Sequence, residues 1–149
     1  MATGTAVSSV LPLGSRINAH GRIEVGGCDT TELAREFGTP AYVVAEDDLL
    51  ARARAFRAAA SASGHVAGVE IVFAAKAFPC TAALALFARE GLWCDVASGG
   101  ELHLALTAGF APERIVLHGN AKSPAELRMA LRHRCLLYTS DAADDLTRV

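Results

Sequence analysis

The chain has 149 residues, 52% of them hydrophobic and 20% charged, with a formal net charge of −2. That is enough material for one domain with a real core. Fourteen basic residues against sixteen acidic ones leave no surplus for a nucleic-acid groove or a polybasic membrane patch, and no apolar run approaches the roughly 18 residues of a membrane-spanning helix.

In chain order, Met1–Leu13 is small and uncharged, with no basic n-region, so no secretory signal is expected. Residues 1–20 are weakly patterned. Arg22-Ile23-Glu24-Val25 alternates like a short strand and is closed by Gly26-Gly27. Asp29-Thr30-Thr31-Glu32 has a capping arrangement ahead of Leu33, Ala34 and Phe37; Gly38 stops that helix and Pro40 keeps it stopped. Ala41–Ala45 is an apolar run of strand length. Glu46-Asp47-Asp48 then places acids where a helix N-terminus favours them. Leu49, Leu50, Ala53 and Phe56 carry the helical spacing to about Ser63, with Gly64 as its stop.

The same theme recurs. Val69–Ala75 is a strand-like run, followed by Lys76, a turn at Phe78-Pro79 and a helix over Thr81–Arg89, broken by Gly91. Leu92–Ala97 is the next run, Ser98-Gly99-Gly100 the turn, and Glu101–Ala108 the helix, stopped by Gly109. Arg114–His118 follows, with Gly119-Asn120 as the turn. Ser123 and Pro124, an N-cap and a Pro at the first helical position, open a helix that reaches about Leu131. Strand, tight turn and helix in repetition predict a parallel sheet with crossover helices, and near-continuous apolar strands predict burial on both faces. An open doubly wound sheet and part of a (β/α)8 barrel both satisfy this pattern, but a closed barrel takes about 250 residues. Residues 135–149, from Cys135-Leu136-Leu137 onward, would pass as a strand and an acidic turn. They read more like the translated read-through of a sequencing adapter and are set aside.

The cysteines Cys28, Cys80, Cys94 and Cys135 form no CxxC pair and read as buried thiols of a cytosolic protein, not as zinc ligands or disulfides. In α/β sheets, ligands bind outside the carboxyl ends of the strands. The residues there are Lys76; Asp95 with Ser98 and Glu101; and His118, Gly119 and Asn120 with Lys122.

Lys76 is the informative one, in a chain with twelve arginines and two lysines. An ammonium at a strand end is partly desolvated, which disfavours its charged form. A neutral amine is what Schiff-base chemistry with a carbonyl requires, and arginine cannot replace it. The plainer reading is a lysine snorkelling to solvent. Asp95 equally suits a turn or a helix cap. Ser98-Gly99-Gly100-Glu101 could bind an anion at a helix N-terminus, although it lacks the spacing of either phosphate-loop motif. His118 is a candidate ligand or base, or a histidine simply hydrogen-bonded in place, and Asn120 and Lys122 equally suit a turn. His20, His65, His103 and His133 share no metal-ligand spacing with His118.

Phe73-Ala74-Ala75-Lys76-Ala77-Phe78-Pro79 resembles the (Y/F)AxKAN motif of the pyridoxal-phosphate decarboxylases with an alanine-racemase-like barrel. Asp95–Leu102 resembles their DxxSGGEL motif, and Gly38–Val44 their GTPxYVY opening. His118-Gly119-Asn120-Ala121-Lys122 resembles the HGNxK motif of the diaminopimelate decarboxylase branch. The resemblance runs from about residue 10 to about 131.

It implies an incomplete TIM-like barrel over residues 41–134, with residues 1–40 belonging partly to a β-rich second domain. It also implies a cytoplasmic, homodimeric parent that uses pyridoxal 5'-phosphate to decarboxylate meso-2,6-diaminopimelate to L-lysine. By the same carry-over, Lys76 bonds covalently to the cofactor, and Asp95 lies near it and favours protonated intermediates. Glu101 shapes the rim, His118 and Asn120 line the barrel mouth, and Ser98 is structural. Phe78 stands where the family has Asn. The family's Gly-rich phosphate-holding segment, its ring-stacking histidine, the acid on the pyridine nitrogen and the second domain fall outside the resemblance, so a fragment inactive alone is expected. Decarboxylases of ornithine, arginine or carboxynorspermidine share the fold, as does a non-catalytic pyridoxal-phosphate carrier. The strand at residues 22–25 speaks against the carrier.

Overall fold

The computed structural model describes residues 10–62 and 69–138. The chain divides into two compact units, Met1–Arg54 and Ala55–Val149.

In the first unit, Arg16–Ile17 (β1), Ile23–Val25 (β2) and Cys28–Asp29 (β3) form an antiparallel sheet in that order. Gly26 and Gly27, at φ 57° and 83°, make the two-residue turn between β2 and β3, which needs positive φ at both central positions. The expected strand at residues 22–25 is present. β1 lies in the stretch that carried no pattern, because two residues are too few to show a period. Thr30–Phe37 forms helix α1, capped by the Asp29 carboxylate, which accepts from the Thr31 and Glu32 N–H groups.

Ala41–Ala45 was expected as a strand and is not one: these residues have no regular secondary structure. Tyr42 is fully exposed, and Val43 and Val44 are nearly half exposed. The composition suits a strand, but a strand is made by pairing, and among the described residues none pairs with this segment. Helix α2, Glu46–Ala62, starts at the three acids as expected. Asp48 is buried in its first turn and accepts from Leu13 N at 3.0 Å and Arg52 Nε at 2.9 Å. The stop expected at Ser63-Gly64 lies outside the described residues.

The second unit is built on a parallel sheet of Val72–Ala74 (β4), Trp93–Val96 (β5), Ile115–Leu117 (β6) and Leu136–Leu137 (β7). Between them run helices α3 (Thr81–Arg89), α4 (Gly99–Thr107) and α5 (Pro124–His133). Spatial strand order equals chain order, β4-β5-β6-β7. A doubly wound sheet reverses direction at a switch point. Four strands laid down in one direction, each with the same hand of crossover, place all the helices on one face and curve toward a barrel. That decides between the two architectures left open by the repeat alone: the second unit is part of a (β/α) barrel.

Alternation along the strands sorts the side chains. Cys94, Val96, Ile115 and Leu117 are fully buried on the helix-bearing face with Leu84, Leu102 and Ala105, and Phe73 stacks on Phe87 of α3 with ring centroids 4.2 Å apart. The other face carries Val72, Ala74, Trp93, Asp95, Val116 and Leu136, with Val72 and Leu136 each 44% exposed. Burial is therefore one-sided, contrary to the expectation from the apolar runs: four strands do not close, so the concave face keeps solvent on it. Cys135 is buried and Leu136–Leu137 extends the sheet, while the remaining residues set aside, 139–149, lie outside the described residues.

Candidate active site

The carboxyl ends of β4, β5 and β6 form one rim, and every candidate residue lies on it. Beyond β4 the chain makes a single 3-10 turn, Ala75–Ala77, closed by Phe78 N donating to Ala75 O at 3.1 Å. Ala75 is fully buried and anchors the turn. Lys76 is exposed and takes no partner among the described residues. The expected desolvation of this lysine is not found. It leaves an edge strand of an open sheet, so nothing on that side withdraws its stem from water.

Asp95 is the third residue of β5 and pairs in register with Ala74 and Val116. His118 follows β6, its N–H donating to Val96 O at 2.8 Å and continuing the ladder. Two-residue alternation puts Asp95, Val116 and His118 on the concave side, with His118 Nδ1 3.8 Å from Asp95 Oδ1. That is too long for a hydrogen bond but close enough for the carboxylate's charge to orient the imidazole. Tyr138, just past β7, lays its ring 5.4 Å from that of His118 at an interplanar angle of 52°. The sequence signal for this neighbour is the apolar run Cys135–Leu137 ending on a polar aromatic, within the stretch read as a non-native tail.

The turn after β5 is locked. The Ser98 Oγ accepts from Glu101 N at 3.2 Å as the N-cap of α4, and the Glu101 carboxylate reaches back to Ala97 N at 2.6 Å. Gly99 N donates to Glu126 Oε1 at 2.9 Å. The anion-binding reading of this turn is overturned: its amides at 97, 99 and 101 are taken by the protein, two of them by carboxylates that would repel an anion. Ser98 is a cap, and Glu101 holds the loop that follows Asp95.

Asn120 is exposed on the loop after His118. Lys122, in the same loop, donates to the carbonyls of Gly119 and Tyr138. Its ammonium is spent on structure. Glu126 was missed as a participant in the rim. Its sequence signal was the S-x-x-E capping box that it forms with Ser123.

Buried Cys94, beside Asp95, has its thiol pushed up to about 12, first by desolvation and then by the charges of Asp95 and Glu101. It is no nucleophile. A groove of about 590 Å³ lies in the first unit, lined chiefly by apolar residues including Leu33, Phe37 and Val43, and holds none of the candidate residues. Among the described residues no group of His, Cys, Asp and Glu could hold a metal ion, and no helix is long and apolar enough to cross a membrane.

Residues 48–149 match the family model described as pyridoxal-dependent decarboxylase, pyridoxal binding domain. The chain belongs to the pyridoxal-dependent decarboxylase family. Within it, the chain is 48% identical over 120 residues to a diaminopimelate decarboxylase of Bacillus subtilis, covering 80% of this chain and 27% of that protein. The crystal structure of diaminopimelate decarboxylase from M. jannaschii superposes with a TM-score of 0.76 at 32% identity, covering 89% of this chain and 31% of the other. The same enzyme in complex with L-lysine superposes at 0.73, with the same identity and coverage. The chain thus spans less than a third of the length of these family members, and the part of a barrel seen in the second unit agrees with that share.

Proposed function

We propose that this chain is the N-terminal part of a diaminopimelate decarboxylase, which removes one carboxylate of meso-2,6-diaminopimelate to give L-lysine with the aid of pyridoxal 5'-phosphate. The observation that carries the reading is the rim. Three motifs stand on three consecutive strand ends, with an exposed lysine amine that has no partner among the described residues on the first and a carboxylate–imidazole pair on the next two. The match to a pyridoxal binding domain and the complex of a related enzyme with L-lysine support it.

The residues present fit the cofactor in one decisive respect. An aldehyde needs an accessible amine, and of the two lysines Lys76 is open while Lys122 is engaged by two carbonyls. Bound at Lys76, pyridoxal phosphate supplies an electron sink for the pair of electrons left when CO₂ departs. Lys76 holds the cofactor covalently and must give up a proton to do so. Asp95 sets a negative charge beside that site and steadies His118, while His118 and Asn120 edge the mouth through which an amino acid enters. Glu101 contributes by fixing Ala97, two residues from Asp95. The cofactor's phosphate is held elsewhere than at the 97–101 turn, whose amides at 97, 99 and 101 are engaged.

The reading includes a homodimeric parent working in the cytoplasm, with residues 1–40 belonging partly to a second, β-rich domain. The separate antiparallel sheet β1–β3 supports that division, and four free thiols suit a reducing compartment.

The test is borohydride reduction of the full-length gene product loaded with pyridoxal phosphate, followed by peptide mapping. Lys76 is expected to carry the label; a label on Lys122, or none, overturns the assignment. Assays with diaminopimelate, ornithine, arginine and carboxynorspermidine are expected to favour the first, and preference for another acid would move the parent to a different branch.

A further inference from the structure

We propose that Glu126 is a positioning residue that fixes the β5–α4 loop against the β6–α5 loop and so sets the approach of Asp95 to His118. One carboxylate serves both loops. Its Oε1 accepts from Gly99 N at 2.9 Å, at the start of α4. Its Oε2 accepts from Ser123 N at 2.8 Å and Ser123 Oγ at 2.7 Å, at the start of α5. The Ser123 hydroxyl in turn accepts from Glu126 N at 3.3 Å.

The sequence is adapted to this approach. A Cβ at position 99 would stand 3.2 Å from Glu126 Cγ, a tight contact, so glycine gives the carboxylate room to approach the backbone. These donors hold the Glu126 carboxyl below the usual carboxylate range, the Ser123 N–H contributing most.

From each end of the link, the path to the rim is short and stiff. Gly99 follows Ser98, the cap of α4, and Ser98 follows Ala97, which is tied to Glu101; Asp95 lies two residues further back. Ser123 adjoins Lys122, which grips Gly119 O next to His118. A shift of α5 relative to α4 is therefore passed to the Asp95–His118 pair with little slack. An ordinary capping box would end at Ser123 and act only on helix stability. The bond to Gly99 reaches 27 residues back along the chain and gives Glu126 a second task. Glutamine cannot perform both, because its amide has one acceptor oxygen and would set its NH₂ against an N–H donor.

The inference rests on the decarboxylase reading, and the experiment separates the two. In the full-length holoenzyme, wild type, Glu126→Ala, Glu126→Gln and Ser123→Ala are compared for melting temperature, cofactor absorption spectrum, kcat and KM on diaminopimelate. Ser123→Ala removes the cap and leaves the Gly99 bond. It is expected to lower the melting temperature while keeping the spectrum and kcat within about twofold of wild type. Glu126→Ala is expected to lower kcat about tenfold, as a displaced but bound constellation does, with KM little changed and the absorption band altered. Glu126→Gln should fall between and serves as the test if the alanine variant does not fold. Glu126 variants matching Ser123→Ala in kcat and spectrum overturn this inference alone. A wild type with neither bound cofactor nor turnover overturns the decarboxylase reading, and this inference with it.

Discussion

Lys76 and Lys122 stand on the same rim, yet their ammonium groups meet different surroundings: one is open, the other is held by two carbonyls. Spacing alone could not separate them, because both follow strand ends. The thiols divide in the same way. Cys94 is fully buried with its thiol pushed up to about 12, and buried Cys135 is shifted in the same direction, whereas Cys28 is exposed. Brief alkylation of the native chain at pH 8 should modify Cys28 and spare Cys94, as read by peptide mass; rapid labelling of Cys94 would contradict its placement in the core. Asp29 titrates in a way that shows its role as a cap. The Thr31 hydroxyl, the Asn18 amide and the α1 amides hold its carboxyl well below the ordinary carboxylate range. A carboxyl depressed in the folded state stabilises above its unfolded value, and that contribution fades as pH falls below about 4. Amide protection of Thr31 and Glu32 should therefore drop on acidification from neutral to about pH 3. Asp29→Asn, which still caps, should remove most of that dependence.

At the scale of elements, capping chemistry was the most legible feature of the chain. Asp29 and Ser123 each start a helix where the sequence placed a cap, and Gly38 stops one; Ser98, expected only as part of a turn before Glu101, caps a helix that already begins at Gly99. Strands were legible only as far as they pair. The runs Val69–Ala75, Leu92–Ala97 and Arg114–His118 found partners over their middle residues, and Ala41–Ala45, equally apolar, found none among the described residues. Turns repeat the lesson, with Gly119 at φ +110° between His118 and the rest of its loop. Gly119→Ala forces a side chain into a conformation that costs on the order of 1–3 kcal/mol. It should lower the melting temperature and displace His118, visible as a shift of its imidazole resonances. An unshifted histidine would place the strain elsewhere.

Over the whole second unit, four parallel strands in chain order bury one face under helices and leave the other open, with edges at β4 and β7. An apolar concave surface and two edges unpaired among the described residues favour association with further chain. The 149-residue chain by itself is expected to bind an apolar dye strongly and to show no decarboxylation of diaminopimelate, while the full-length gene product does the reverse. Turnover by the isolated chain would show that these strands suffice for the site.

What the sequence determined by itself was local: where helices begin, which runs are apolar, and which polar residues sit at strand ends, because caps, periods and turns are written in neighbouring residues. The choice of barrel over doubly wound sheet needed the spatial order of strands. The pairing of Asp95 with His118, the openness of Lys76 and the bond from Glu126 to Gly99 needed residues far apart in the chain to be brought side by side. Contacts between distant segments depend on how crossovers stack strand upon strand, and no window of the sequence contains that information.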